Sequence, residues 1–371
     1  MKRTIHFIIL LTIGMMTYIL LGASCLPKNT LTAEGYFIGK FIQTTVDHQF
    51  AKTLIEKPND KLVHSFFNKY DAYELNTETL SQISKEYSND VATFYFAQRL
   101  YNNSNNKFCQ DLYYQSINQS EEELYNGLKD YHIVFIPGLG YKEDTTTGAN
   151  FARQRRILDK FNLSNELIEI EEWGLSEKNA QIIASKLKSI NKKHKNIMLV
   201  SASKGGLETA IALGDILEPE EISSIKSWVS VGGILRGSPI ADSYLKAPKC
   251  WIAEFMLWTK GKNIDIVKDI SYNMRTSEFE KLKLPSHIKI IHYVGTPLAT
   301  NISKEIKNRY CSMKDFGPND GLTPIADEIT KQGFVVTELG LDHYYRDDLI
   351  DKKTLALAYV AVKLERKTFE E

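Results

Sequence analysis

The spacing of apolar positions changes near residue 130 of this chain. Upstream, apolar residues recur at steps of three and four: Tyr36, Phe37 and Phe41, then Val91, Phe94, Ala97, Leu100 and Tyr101, then residues 108–117. That spacing predicts amphipathic helices. Residues 26–128 are therefore expected to form a separate helical region, interrupted by the polar run Asn102-Asn103-Ser104-Asn105-Asn106. Downstream, short apolar runs alternate with longer amphipathic stretches. Strands are expected at residues 132–136, 167–171, 197–200, 225–231, 288–294 and 334–339. Helices are expected at 152–161, 176–190 and 352–364 and directly after the strand at 197–200, with Ser176 as a cap. Such β-α alternation implies a mostly parallel sheet covered on both faces, so residues 129–371 read as one α/β domain. The alternation fails over about residues 237–285, where Trp251, Phe255, Met256, Leu257 and Trp258 cluster ahead of Lys260 and Lys262. An insertion at that point is placed to act as a lid.

Residues 1–25 carry a basic start (Lys2, Arg3), an apolar run over 7–21 and the small residues Gly22-Ala23-Ser24 before Cys25. This is the pattern of a secretory signal, and the cysteine also resembles the lipobox of bacterial lipoproteins, although Gly22 stands where that motif prefers leucine. The expectation is export, as a periplasmic, outer-membrane or secreted protein of bacterial origin, with acylation of Cys25 left open. Lys plus Arg balance Asp plus Glu at 46 each, which offers no basic surface for nucleic acid. Cys109, Cys250 and Cys311 lack metal-ligand spacing. A Cys250–Cys311 bridge is expected, since both fall in the downstream half.

The candidate chemistry centres on residues 196–206, Asn-Ile-Met-Leu-Val-Ser-Ala-Ser-Lys-Gly-Gly. A buried strand, a serine at a sharp turn, two glycines and a helix are the context of a nucleophile elbow. The usual pattern is Gly-x-Ser-x-Gly; here Ser201 takes the first position, Ser203 is the candidate nucleophile and Gly205 closes the motif. Acyl transfer by serine also needs a base, an acid that orients the base, and donors for the oxyanion. Of eight histidines, His343 alone follows the last strand. Asp315 and Asp320 both lie between the last two strands and both qualify as the acid. The order Ser203, acid, His343 is that of the α/β-hydrolases. The oxyanion donors are expected to be the backbone N–H of Lys204 and that of Leu139 in the Pro137-Gly138-Leu139-Gly140 loop.

With these residues in hand the chain resembles an α/β-hydrolase of the bacterial true-lipase and esterase group. Ile136-Pro137-Gly138-Leu139-Gly140 resembles that group's His-Gly-x-x-Gly oxyanion loop. Gly237-Ser238-Pro239-Ile240-Ala241-Asp242 resembles its Gly-Ser-Pro-x-Ala-Asp stretch, although the preceding Thr-Pro-His has become Gly233-Ile234-Leu235. Asn319-Asp320-Gly321-Leu322 resembles its acid motif and favours Asp320 over Asp315. The resemblance spans about residues 130–365 and implies an α/β-hydrolase fold with a Ser203-Asp320-His343 triad. Tyr345 stands where calcium-binding relatives carry aspartate, so no structural calcium, and no other metal or cofactor, is expected. The implied activity is hydrolysis of carboxylic esters, with an acyl or lipid substrate lying under the lid cluster and contact with a membrane surface. A thioesterase, an acyltransferase, or an exported binding protein on a hydrolase scaffold would carry the same motifs.

Overall fold

The computed structural model describes residues 27–367, so the leader with Cys25 lies outside the described residues. Six parallel strands form the central sheet in the order β4-β3-β5-β6-β7-β8: β3 His132–Ile136, β4 Asn165–Leu167, β5 Ile197–Ala202, β6 Ile225–Val231, β7 Lys289–Thr296 and β8 Phe334–Leu339. Alternate residues feed two cores. Val134, Ile136, Leu199, Trp228 and Ile290 face one side, covered by α8 (Ser176–Asn191) and the elbow helix α9 (Lys204–Ile211). Ile133, Phe135, Met198, Val229 and Tyr293 face the other, covered by α7 (Ala152–Lys160) and α15 (Ile350–Arg366). Strands buried on both faces are what continuous apolar runs in a parallel sheet require.

The upstream region departs from expectation in two ways. Residues 31–46 are not helical: β1 (Leu31–Phe37) and β2 (Lys40–Val46) form an antiparallel hairpin. Ile38 and Gly39 both take positive φ, as the tight turn needs, and Tyr36 sits opposite Phe41 as a cross-strand pair rather than one helical turn away. Helices do follow: α1 (Gln49–Glu56), α2 (Lys61–Tyr70), α3 (Thr77–Glu86), α4 (Asn89–Tyr101), α5 (Ser104–Ile117) and α6 (Glu121–Leu128). Nor is the region separate. Phe94 and Phe96 share a core with Val294, Leu298 and Val335, and Tyr113 shares one with Tyr293 and Val336.

Helix α5 also closes the sheet's open edge. Gln110 accepts the N–H of Thr337 (2.8 Å) and donates to its carbonyl (3.1 Å), while Asn106 accepts the N–H of Val335 (2.9 Å). These amides stand in for a further strand and remove an exposed edge.

The insertion comprises α10 (Pro239–Tyr244), α11 (Lys249–Thr259), α12 (Asp265–Asp269) and α13 (Tyr272–Phe279). No residue of α11 is buried, and Trp251, Phe255 and Trp258 are 67%, 62% and 71% exposed. The expected Cys250–Cys311 bridge is not formed: Cys250, at the start of α11, and the buried Cys109 are free thiols, and Cys311 is disulfide-bonded elsewhere. Ser176 is the first residue of α8 rather than its cap. Its N–H is taken by the carboxylate of Asp269 (3.0 Å), reaching over from the insertion.

Candidate active site

Strand β5 ends in a turn that the backbone holds under strain. Ser203 takes φ 52 and ψ −123, a region that side chains disfavour. The turn is secured on both sides: Ser203 donates its N–H to the Val231 carbonyl (3.1 Å), and its own carbonyl accepts from Gly206 (2.9 Å) and Ile234 (3.2 Å). Glycine at 205 is a steric necessity, because a Cβ there would lie 2.4 Å from the Pro137 carbonyl oxygen. Ser201, in place of the usual first glycine, is fully buried and accepts the indole N–H of Trp228 at 2.8 Å. The extra hydroxyl therefore has a partner.

Three side chains predicted from separate motifs meet at this turn. Ser203 Oγ and His343 Nε2 are 3.0 Å apart, and His343 Nδ1 is hydrogen-bonded to Asp320 Oδ2. Asp320 is fully buried, and its other oxygen accepts the N–H groups of Leu322 and Thr323, both at 2.8 Å. The His343 backbone N–H donates to the Asp320 carbonyl (3.0 Å), which ties the two loops together. Asp315 is exposed, and its carbonyl accepts from Ser81 on α3.

Leu139 and Lys204 line the same cavity as Ser203. Among the described residues, neither backbone N–H donates to a protein acceptor, so both are free to point at a developing oxyanion. The Pro137-Gly138 turn is pressed against the elbow, with the Cβ position of Gly138 only 3.3 Å from that of Ser203. No group of three or more His, Cys, Asp or Glu is arranged to hold a metal ion among the described residues. Tyr345 instead bridges backbone, donating its hydroxyl to the Tyr293 carbonyl and accepting from Gly295 N–H, both at 2.8 Å.

Two features escaped the sequence reading. Glu328 is fully buried beside the acid; burial, then Asp320 and Asp327, push its carboxyl well above the usual carboxylate range. The Lys204 side chain turns inward to an ion pair with Glu208, both almost wholly buried. The second was legible in principle, since lysine and glutamate four apart on one helix are natural partners.

The cavity measures about 660 Å³, in the range of small-molecule sites. It does not lie beneath the aromatic helix α11. Its roof comes from Ile240 and Tyr244 of α10 and from Val267 of α12. Its body runs between the sheet and α7 and α15, past Phe135, Val200, Val229 and Leu357.

The sheet order, the strand-elbow-helix unit and the placement of the acid and base loops make this the α/β-hydrolase fold. No protein-family model matches the sequence, and no curated protein does. Solved structures of similar fold include the metagenomic carboxyl esterase MGS0156, at 18% identity and a TM-score of 0.51, covering 64% of this chain and 76% of that one. The mature Bacillus licheniformis lipase BlEst2 matches at 19% identity and a TM-score of 0.48, over 58% of this chain and 86% of the lipase.

Proposed function

We propose that the protein is a carboxylic ester hydrolase working through a Ser203–His343–Asp320 triad and an acyl-enzyme. The observation that carries this reading is the continuous hydrogen-bonded chain from Ser203 through His343 to buried Asp320, at the mouth of an apolar cavity. In the forward step His343 Nε2 takes the Ser203 proton while Oγ attacks the ester carbonyl. Asp320 stabilises the imidazolium, and the N–H groups of Leu139 and Lys204 receive the oxyanion. His343 then protonates the leaving alcohol. Water, deprotonated by the same imidazole, releases the acid.

The cavity supports a substrate class. Ile133 pairs with Met198, five residues before Ser203, so lining by Ile133 carries the cavity about 16 Å below the nucleophile along the strands. An extended acyl chain of about twelve carbons spans that distance. The reading favours an acyl chain lodged between the sheet and α15, with the alcohol portion towards the mouth. The exposed aromatic surface of α11 suits contact with a lipid surface that presents such esters, and the leader pattern suits an exported enzyme. The esterase of similar fold is named for the same chemistry.

The test has two parts: labelling by a fluorophosphonate with mass-spectrometric mapping, and hydrolysis of nitrophenyl esters from two to sixteen carbons. Labelling at Ser203, lost in Ser203→Ala, and turnover that improves towards about twelve carbons are expected. An unlabelled Ser203 in folded protein would leave a binding protein on a hydrolase scaffold.

A further inference from the structure

The Lys204 side chain takes no part in the mechanism above, yet it sits directly behind the nucleophile. It is 2% exposed, donates to the Gly174 carbonyl at 2.9 Å and is paired with Glu208 one turn along α9. Glu208 also accepts from Asn179 Nδ2 on α8 at 2.7 Å. Asn179 in turn grips Glu171, donating to its carbonyl (2.9 Å) and accepting its N–H (3.0 Å). The first turn of the elbow helix is thus fastened to α8 and to residues 171–174 by one buried polar chain.

A buried ion pair is a poor device for stability alone, because desolvation offsets most of its attraction and an apolar pair does as well. What this pair does possess is direction. Lys204 contributes both ends of the problem: its ammonium is tied down inside, and its backbone N–H, with no protein acceptor among the described residues, belongs to a residue that lines the cavity.

We propose that Lys204 and Glu208 are positioning residues: their ion pair, anchored on Gly174 and Asn179, aims the Lys204 N–H at the oxyanion of the ester reaction. This rests on the reading of Ser203 as the acyl-forming nucleophile. The pair is also sensitive near neutral pH. Burial pushes the Glu208 carboxyl up to about 7, helped by Asp269 on α12 and opposed by Lys204 on its own helix. Asp269 is itself paired with Arg275 of α13, and α8 presents the neutral Asn179. As pH falls through that value Glu208 gains a proton and the pair is lost. His343 must also be neutral to act as base. Loss of the pair therefore adds a Glu208-dependent component to the fall of kcat in acid.

The experiment compares wild type, Glu208→Gln, Lys204→Met and Lys204→Met/Glu208→Leu, reading kcat, KM and Tm with a soluble short-chain nitrophenyl ester. Each single variant is expected to lose on the order of tenfold to a hundredfold in kcat, as a misaimed donor does. The double variant holds no unpaired charge. It should regain the wild-type Tm while kcat stays low and KM moves less than twofold. Glu208→Gln, close in shape to the native residue, should lose that component, so that its kcat falls less steeply with acid than that of the wild type. A double variant that recovers kcat along with Tm would overturn the proposal, as would an unchanged fall of kcat in acid in Glu208→Gln. Fluorophosphonate labelling of the wild type separates the two ideas. A labelled Ser203 with recovered kcat in the double variant removes only the positioning role, whereas an unlabelled Ser203 removes the ester-hydrolase reading and this proposal with it.

Discussion

Gly205→Ala is the sharpest single probe of the elbow, because it adds one methyl group where only main-chain oxygen stands. The new Cβ would meet the Pro137 carbonyl oxygen at 2.4 Å and that of Ile136 at 2.9 Å. Ordinary contact begins near 3.4 Å, so α9 and the end of β3 must part by 3.4 minus 2.4, about 1 Å. Neither oxygen belongs to a flexible side chain that could swing aside. The segment pushed away leads straight into Leu139, while Lys204 travels with α9, so the two proposed oxyanion donors separate. A displacement of that size at a reacting centre costs about a hundredfold in rate, the lower end of the loss on removing a donor outright. The fold itself should lose only about 1–3 kcal/mol, as for other overpacked sites. The assay is kcat and KM on a soluble nitrophenyl ester, with Tm as the control for folding. Gly140→Ala is the comparison: it lies in the same loop with open space around its Cβ position, although its positive φ adds strain. A folded Gly205→Ala enzyme with wild-type kcat would refute the placement of the 137–141 loop as the second half of the oxyanion hole.

Four further outcomes are expected. Asp320→Asn should lower kcat about ten-thousandfold by favouring the wrong tautomer of His343, whereas Asp315→Asn, on the surface, should be close to wild type. Trp251→Ser/Trp258→Ser should keep its turnover of soluble short-chain esters but bind vesicles at least about tenfold more weakly, since two rings that are 67% and 71% exposed lose their apolar contact with lipid. Native alkylation at pH 8 followed by mass spectrometry should modify Cys250 and spare Cys109, whose thiol burial pushes up to about 12. His292 is fully buried, and burial lowers its pKa from 6.5 to about 3, so the unfolded chain takes up the proton first. Its contribution to stability is complete above 6.5 and lost as pH falls towards 3, amounting to about 2 kcal/mol by pH 5; denaturant unfolding should show this slope weakened in His292→Gln.

How much of this was open to a reader of the chain depends on where each constraint acts. Strands β3, β6 and β8 match their apolar runs because those residues are buried on both sides, and burial writes itself into composition. The meeting of Ser203 with His343 was legible for a different reason: each follows closely on a strand, where the parallel sheet delivers loops to one edge, whereas Asp320 lies well beyond the end of β7 at Thr296 and was singled out by its motif. The hairpin at residues 31–46 was not legible, because Tyr36, Phe37 and Phe41 suit a helical stripe as well as a cross-strand pair. The folded chain brings Gly35 so close to α1 that a Cβ there would lie 2.6 Å from the Ile55 carbonyl oxygen, a contact that no helical stripe records. The route of the cavity was hidden likewise. The aromatic cluster at 251–258 looks like a roof when read along the chain, yet α11 faces outward, and space opens instead where Val200 and Ala202 of a central strand are left only partly covered by α7 and α15. A void records missing neighbours rather than present residues, so no local pattern announces it. Asn106 and Gln110 make the same point for the sheet edge. Asn106 closes a polar run that reads as a break between helices, yet it lies within α5, and only the position of β8 turns it and Gln110 into the missing strand. Contacts that span a strand-to-helix turn are written locally; those that join residues hundreds of positions apart are settled by which surfaces the sheet leaves open.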